Sequence, residues 1–314
     1  MRQSHRERTV GPWAKQKLDA LESYLIAYQE VMKNYRFRLV YVDAFAGAGQ
    51  FKVRSSDTVE IERADAGLLE IEGDDEVLDD EDMAGIEEFI AGSPVRALSL
   101  DRPFHHYRFI DLDASRAQLL QDLQHDFPKL SIKALNEDAN VAVQNIASKF
   151  GAPDLRGVAF LDPYGAHLHW KTLEALARTK KFDVIINIPI HMAMNRLVRT
   201  DGKNSPGDIE QLDKAFGCRD WYDVCYTTRV DLFEGEKTVK VPDAPKQLLD
   251  LYVQRLRRIF PKVTQPSLVK NSHNCPLYYL IWVGENGTGQ KIADHILGLG
   301  DKVKVPRRKI ASGT

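Results

Sequence analysis

Residues 39–49 constrain the fold most, because an apolar segment runs directly into a turn that contains glycine. The sequence Leu-Val-Tyr-Val-Asp-Ala-Phe-Ala-Gly-Ala-Gly begins with residues suited to a strand buried on both faces of a parallel sheet. Gly47 and Gly49 lack Cβ atoms where the backbone would approach a ligand. The third glycine of a dinucleotide site is missing, and no Gly-Lys-Ser/Thr follows for a nucleoside triphosphate. The turn therefore favours a nucleoside without phosphates.

The acidic residue Asp43 stands at the tip of this strand. A phosphate site would place a lysine or a bare helix N-terminus there, whereas a carboxylate suits a cationic ligand. S-adenosylmethionine is such a nucleoside, since it carries a sulfonium and an ammonium group. The alternative is an ordinary strand-to-helix turn that Asp43 caps.

Two further strands are predicted at α/β spacing, and each delivers an acid. Residues 106–113 form a strand ending in Asp111 and Asp113, and residues 130–135 form a short strand followed by Asp138. Asp111 is placed to bind the ribose hydroxyls, with Asp113 as the reserve because it could simply cap the next helix. Asp138 is a candidate acceptor for the adenine amine, although an Asn/Asp cluster after a strand also suits a plain turn.

The fourth strand, residues 157–161, ends in Asp162-Pro-Tyr-Gly. Pro163 stops the strand and presents Asp162 and Tyr164 at the rim of the sheet, where we expect catalysis. Asp162 would orient an attacking amine or hydroxyl, and Tyr164 would stack on a flat acceptor. The same four residues also suit a simple turn.

The rest of the chain supplies the remaining elements of one elaborated domain over residues 1–314. A helix is predicted over residues 14–34, a buried strand from Phe182, and an antiparallel hairpin from residues 262–270 and 276–284. Residues 200–240 interrupt this order, and we expect an inserted lid or recognition segment.

Composition limits the class of protein. Apolar residues make up 43% of the 314-residue chain, yet no apolar stretch approaches 18 residues. We therefore expect no membrane span, and the polar N-terminus predicts a cytoplasmic protein. The three cysteines lack metal-site spacing, so we expect reduced thiols and no metal.

The net charge of −2 conceals an uneven distribution. Residues 51–90 hold 15 acidic and 3 basic residues, so this stretch carries −12 and the remaining chain +10. Residues 51–91 are expected to be a flexible, solvated acidic insert. A sharper hypothesis is that the insert mimics a polyanion and competes with nucleic acid for a cationic surface.

Taken together, Asp43-Ala-Phe45-Ala-Gly47-Ala-Gly49, Asp111, Asp138 and Asp162-Pro-Tyr-Gly resemble a class I S-adenosylmethionine-dependent methyltransferase. The resemblance implies a Rossmann-like, mostly parallel seven-stranded sheet with a C-terminal antiparallel hairpin and helices on both faces. It also implies that Phe45 packs beside the methionine portion of the cofactor.

A narrower resemblance is to the three-Cys-motif partner (TcmP) family. It is carried by Trp13 with Lys15 and Lys17, the helix with Tyr24 and Tyr28, residues 41–47, Gly92-Ser-Pro and Leu277-Tyr-Tyr-Leu. This family implies a partner protein with a cysteine motif.

The tetrapeptide Asp162-Pro-Tyr-Gly differs from the Asp/Asn-Pro-Pro-aromatic sequence of methyltransferases that modify exocyclic amines. Tyr164 replaces the second proline and Gly165 the stacking aromatic. We expect methylation of a nitrogen in a nucleic acid or nucleotide-like acceptor. The alternatives are a cofactor-binding partner of a cysteine-motif protein with little activity of its own, and a small-molecule methyltransferase.

Overall fold

The computed structural model describes residues 9–10, 12–48, 50–53, 88–231, 235–271, 274–299 and 301–302. Its strands are β1 (Thr9–Val10), β2 (Arg38–Asp43), β3 (Gln50–Val53), β4 (Glu88–Ala91), β5 (His106–Asp111), β6 (Ile132–Asn136), β7 (Leu155–Leu161), β8 (Phe182–Ile188), β9 (Tyr226–Asp231), β10 (Gly235–Lys240), β11 (Lys262–Val263), β12 (Ser267–Lys270), β13 (Pro276–Gly284) and β14 (Asp301–Lys302). The helices are α1 (Pro12–Met32), α2 (Ser93–Leu98), α3 (Ala114–Asp126), α4 (Ala139–Ser148), α5 (Trp170–Thr179), α6 (Asn195–Leu197), α7 (Pro206–Phe216), α8 (Asp220–Cys225), α9 (Ala244–Ile259) and α10 (Gly287–Ile296), and a π-helical turn, Ile190–Met194, precedes α6.

The main sheet confirms the predicted α/β architecture. Five parallel strands lie in the order β6-β5-β2-β7-β8, and the antiparallel strand β13 then pairs with β8 and with β12. Counted along the chain, these seven strands have the order 3-2-1-4-5-7-6. Two-residue strands β14 and β11 extend the sheet to nine. The strand order reverses between β2 and β7, which makes this junction the topological switch point of a Rossmann-like fold.

Helices cover both faces of this sheet because its central strands are apolar on both sides. One core includes α1, α2 and α10 with Tyr41, Phe109 and Phe160 of the sheet. The other core lies on the opposite face and includes α4, α5, α7, α8 and α9 with Val42 and Ala159. Each fully buried large apolar side chain contributes about 1.5–3 kcal/mol to this packing.

Helix α1 runs across one face of the sheet from the carboxyl ends of the parallel strands toward their amino ends. Near its start, Lys17 contacts Asp162 at the carboxyl ends of the parallel strands, while further along Tyr24 donates a hydrogen bond to Asp183 at the beginning of β8. Arg96 of α2 donates to Asp19 and Glu22 of α1 at 2.6 and 2.8 Å, which ties α2 to the same face.

The two predicted inserts differ in what the structure describes. The two ends of residues 51–91 lie in β3 and β4, which pair with each other in antiparallel orientation, and β1 lies on the other side of β3. Residues 54–87 lie outside the described residues. Residues 200–240 contain α7, α8 and the β9–β10 hairpin, and their role as a lid or recognition segment stays a prediction. In the described part of the chain, no helix combines the length and apolarity required to cross a membrane.

Candidate functional site at the carboxyl edge of the sheet

Polar side chains end the parallel strands on one face of the sheet. Because side chains alternate along a strand, Tyr41 and Asp43 of β2 lie on the same face, as do Phe160 and Asp162 at the end of β7. Asp43 pairs in register with Phe160, which places Asp162 just beyond it across the switch point. Asp111 ends β5 on the other side of β2. This face is the one that α1 covers.

Asp43 is completely buried and incompletely hydrogen-bonded. Its Oδ2 accepts a hydrogen bond from the Tyr41 hydroxyl at 3.2 Å, whereas its Oδ1 has no hydrogen-bond partner in the described residues. Burial raises the pKa of Asp43 to about 7, and the charge of Asp162 acts in the same direction, while hydrogen bonding from the Ser93 and Tyr41 side chains and from the Phe45 backbone opposes the rise. A buried acceptor atom without a partner costs about 1–3 kcal/mol, so this site favours a ligand that supplies a donor or a cation.

The glycine turn is joined directly to the next strand. Gly47 has a φ of +65°, a left-handed conformation that glycine adopts without steric cost, and its amide donates to Asp111 Oδ2 at 3.0 Å. Phe45, which lies between Asp43 and Gly47 in the chain, is half-buried and packs against the core on the opposite face from α1. Gly49 lies outside the described residues. Two of the predicted cofactor residues, Gly47 and Asp111, therefore lie in contact.

Asp111 also holds the start of α3. Its Oδ1 accepts from the Asp113 amide at 2.8 Å and from the Arg116 guanidinium at 2.9–3.0 Å. Asp113 caps α3 by accepting from the Arg116 amide. Each carboxylate oxygen offers two lone pairs, so a diol would share Asp111 with the Gly47 and Asp113 amides and with Arg116. Binding of ribose by Asp111 stays a prediction.

Asp138 is the N-cap of α4, and its carboxylate is exposed. Its Oδ1 accepts from the Asn140 and Val141 amides at 3.0 and 3.1 Å. The buried Asn140 side chain then bonds the His167 carbonyl and the His169 amide, which ties α4 to the loop after β7. The cap explains why an acid occurs here, and the contact with adenine stays a prediction.

Asp162 lies in a network that joins three elements. Its Oδ2 accepts from Lys17 Nζ of α1 at 2.5 Å, and its Oδ1 accepts from Asn187 Nδ2 of β8 at 2.6 Å. The Lys17 ammonium also lies 5.2 Å from the centroid of the Tyr278 ring on β13. Asn187 is buried, and its Oδ1 has no hydrogen-bond partner among the described residues.

The aromatic residue of the tetrapeptide faces outward. The side chain of Tyr164 is 62% exposed, and Gly165 follows in a left-handed conformation with φ +89°. The role of Tyr164 as a stacking surface stays a prediction.

The sequence offered Lys17 only as a residue at the start of its helix that could face a substrate, and Ser93 only within the Gly92-Ser-Pro motif; neither was linked to Asp43 or Asp162. Lys17 lies 145 positions from Asp162, and no local pattern links the two residues. Asn187 had a weaker signal, because it is a polar residue near the end of an otherwise apolar predicted strand.

A cavity of about 420 Å³ opens at the opposite, amino-terminal edge of the parallel strands. Its lining includes Tyr28, Arg156, Lys181 and Asp183. The candidate site lies at the carboxyl ends of the same strands, which is where open α/β sheets bind ligands. The cavity is therefore separate from the candidate site.

No protein-family model and no curated protein matches the sequence. Among solved structures, protein LPL1258 of Legionella pneumophila is similar over 94% of this chain and 92% of its own, with 13% identity and a TM-score of 0.49. An S-adenosylmethionine-dependent methyltransferase from Clostridium acetobutylicum is similar over 86% of this chain and 92% of its own, with 8% identity and a TM-score of 0.33. At these levels of similarity, the strand order of the sheet remains the basis for the fold class.

Proposed function

We propose that this chain is an S-adenosylmethionine-dependent methyltransferase that acts on a nitrogen of a nucleic acid or nucleotide-like acceptor. The observation that carries the proposal is the buried Asp43 carboxylate, whose Oδ1 lacks a partner in the described residues, at the switch point beside the left-handed Gly47. A buried carboxylate without a matching cation stabilises a positively charged ligand. A turn of glycines at the same place suits close approach of a nucleoside.

The residues present fit the proposed cofactor. Asp43 would balance its ammonium, Phe45 would pack beside the methionine portion, and Gly47 with Gly49 would leave room for the adenosyl group. Asp111 would bind the ribose, and Asp138 would accept from the adenine amine. When bound, the cofactor supplies a methyl group activated by attachment to a sulfonium.

In this proposal, Asp162 and Tyr164 handle the acceptor. Asp162 would accept a hydrogen of the amine and so aim the nitrogen lone pair, and Tyr164 would stack on the ring that carries it. Alignment of the two reactants would supply most of the acceleration.

A second candidate is a cofactor-binding partner of a three-Cys-motif protein, in keeping with the TcmP resemblance. Two observations favour it: both Asp162 oxygens already accept hydrogen bonds within the chain, and Gly165 stands where a stacking aromatic is expected. Under this alternative, the chain would bind the cofactor and methylate little by itself.

Calorimetric titration with S-adenosylmethionine and S-adenosylhomocysteine tests the shared part of both candidates. We expect binding of both compounds, and the absence of binding would end both. Transfer of tritiated methyl groups to pools of cellular RNA, DNA and protein then separates the candidates. Label in RNA or DNA supports the first, whereas tight cofactor binding without label in any pool favours the partner protein or a small-molecule acceptor.

A further inference from the structure

The cavity at the amino-terminal edge of the parallel strands contains a buried hydroxyl that no other described residue satisfies. Tyr28 of α1 is only 4% exposed and lines this cavity, yet its hydroxyl makes no hydrogen bond within the described residues. Buried tyrosine hydroxyls usually have a hydrogen-bond partner, so this one favours a ligand that supplies the partner. The cavity volume of about 420 Å³ lies within the range of about 300–1,000 Å³ that is typical of small-molecule sites.

Asp183 supplies a carboxylate to the same cavity. Its Oδ2 accepts a hydrogen bond from Tyr24 at 2.7 Å, and the Tyr24 hydroxyl accepts one from the Trp282 indole at 2.7 Å. Asp183 Oδ1 has no such donor in the described part of the chain, and it lies only 2.6 Å from the place that a Cβ on Gly284 would occupy. Burial raises the pKa of Asp183 to about 6, and the hydrogen bond from Tyr24 opposes the rise, so the carboxylate is ionised at pH 7.5.

Positive groups lie in the same cavity as the acids. Arg156, Lys180 and Lys181 line it together with Asp183 and Glu285, and neither acid forms an ion pair with another described residue. Opposite charges act on the one hydroxyl. The pKa of Tyr28 is raised mainly by burial and further by the charge of Asp183, whereas the charge of Arg156 lowers it.

The basic groups differ in how far the chain already uses them. Lys181 Nζ donates to the backbone carbonyls of residues 150–152 at 2.6–3.2 Å, which occupies all three of its hydrogens. Arg156 Nη1 donates to two backbone carbonyls, but its Nη2 has no acceptor among the described residues. Arg156 and the exposed Lys180 are therefore the groups that could receive an anion. A ligand with a single charge would meet groups of its own sign, whereas a ligand with both charges matches the lining.

We propose that this cavity binds a small zwitterion with an apolar tail, which is the chemistry of an apolar α-amino acid. Its ammonium would donate to Asp183 Oδ1 and to the Tyr28 hydroxyl, with Glu285 adding negative charge. Its carboxylate would accept from Arg156, and Met32 with the Tyr28 ring would contact the tail. This inference goes beyond the proposed function and does not depend on it, because the cavity lies at the opposite edge of the sheet from the candidate site.

Nuclear magnetic resonance of the full-length ¹⁵N-labelled protein tests the proposal. The Trp282 indole reports on Asp183 through the Tyr24 hydroxyl, and its signal is assigned among the four indole signals with Trp282→Phe. The probes at pH 7.5 are L-norleucine, pentylamine, which lacks the carboxylate, and hexanoate, which lacks the ammonium. We expect L-norleucine to shift the Trp282 signal saturably, with an affinity at least about tenfold higher than that of either single-charge probe. Equal affinity of a single-charge probe, or no saturable shift with L-norleucine, would overturn the proposal.

Two variants test the residues assigned to the ammonium. Asp183→Asn keeps an acceptor for Tyr24 but loses the charge, and it should weaken L-norleucine binding by about tenfold or more. Tyr28→Phe should weaken binding about threefold and leave the urea midpoint of unfolding unchanged, because its hydroxyl has no partner to lose within the described residues. Tyr24→Phe is the matched control, and it should lower the urea midpoint because two hydrogen bonds are lost. Unchanged affinity for L-norleucine in folded Asp183→Asn and Tyr28→Phe would refute the site.

Asp43→Asn separates this cavity from the proposed cofactor site, where an amino-acid ammonium would also fit. We expect the shift of the Trp282 signal by L-norleucine, and the affinity that it reports, to be the same in Asp43→Asn as in the wild type. Loss of L-norleucine binding in Asp43→Asn would place the ligand in the cofactor site and overturn its assignment to the cavity.

Discussion

At the scale of single residues, Asp43 is held in an unusual state. Its pKa is about 7 in the folded chain, compared with about 3.9 for an unperturbed aspartate. The folded state therefore binds this proton more tightly than the unfolded state, so the contribution of Asp43 to stability decreases as pH rises from about 4 to about 7. A group that titrates near neutral pH in a buried site is typical of functional positions.

This pKa predicts how cofactor affinity depends on pH. A cationic ligand prefers the ionised carboxylate, so S-adenosylmethionine bound as proposed would have to displace a proton below pH 7. We expect its affinity to fall by about tenfold per pH unit below about 7 and to be level above it. Calorimetric titration between pH 5.5 and 8 measures this, and Asp43→Asn should bind weakly without the pH dependence. An equally pH-dependent affinity in Asp43→Asn would assign the proton to another group.

A second prediction at this scale concerns Asp162. If the chain is the proposed methyltransferase, Asp162→Asn should abolish methyl transfer while leaving the affinity for S-adenosylmethionine within about threefold, because the proposal assigns this carboxylate to the acceptor. Asp154→Asn is a suitable control, since Asp154 is exposed and pairs with Arg38 at the opposite edge of the sheet. Turnover that is unchanged in Asp162→Asn would refute its assigned role.

At the scale of elements, the sequence predicted most strands and where they end. Apolar stretches predicted β2, β5, β7 and β8, and the hairpin prediction is confirmed by the antiparallel pairing of β12 with β13. These strands could be predicted from the sequence because burial on both faces requires a continuous apolar stretch, and an acid or a proline then ends that stretch. The helices and hairpin within residues 200–240 were not predicted individually, because short amphipathic elements have weak periodicity.

The cap of α4 separates two roles of Asp138. Asp138→Ala should lower the free energy of unfolding by about 1 kcal/mol, because two amides at the helix start lose their acceptor. Asp138→Ser should restore this stability, since a serine hydroxyl also caps. If Asp138 binds adenine, both variants should lose affinity for S-adenosylmethionine, as measured by calorimetry. An unchanged affinity for S-adenosylmethionine in Asp138→Ser would show that Asp138 caps α4 and does not bind adenine.

The end of α7 depends on a glycine packed against an aromatic ring. Gly217 has φ +68°, and a Cβ there would lie 2.5 Å from atoms of the Trp170 indole, which is packed against Tyr252 and Arg255. Gly217→Ala should therefore destabilise the fold by about 2–4 kcal/mol in urea unfolding, from backbone strain and overlap together.

The matched control is Gly235→Ala. Gly235 has φ +77°, and a Cβ added there would meet no atom of the described residues within 4 Å, so only the strain of about 1 kcal/mol should appear. Equal losses of unfolding free energy in Gly217→Ala and Gly235→Ala would show that the structure relieves the overlap with Trp170 without an energetic cost.

At the scale of the whole molecule, charge is divided between the acidic insert and the rest of the chain. Residues 66–86 contain nine acidic and no basic residues, so their deletion would change the net charge from −2 to +7. If the insert competes with nucleic acid, the deletion variant should bind cellular RNA at least tenfold more tightly at about 50 mM salt, and the difference should disappear at about 500 mM. Filter binding at both salt concentrations measures this. Equal affinities at the lower salt concentration would contradict the competition.

The local sequence determined the buried strands, the glycine turn and the acids that follow them, because each depends on neighbouring residues and on the alternation of side chains along a strand. Tertiary structure decided how those acids are used. Asp162 is paired with Lys17 across 145 positions, Gly47 donates to Asp111 across 64, and Asp43 keeps an oxygen without a partner in the described residues. These contacts and the raised pKa of Asp43 arise from desolvation and from distances between side chains, which exist only once the strands have paired and the helices have packed on the sheet.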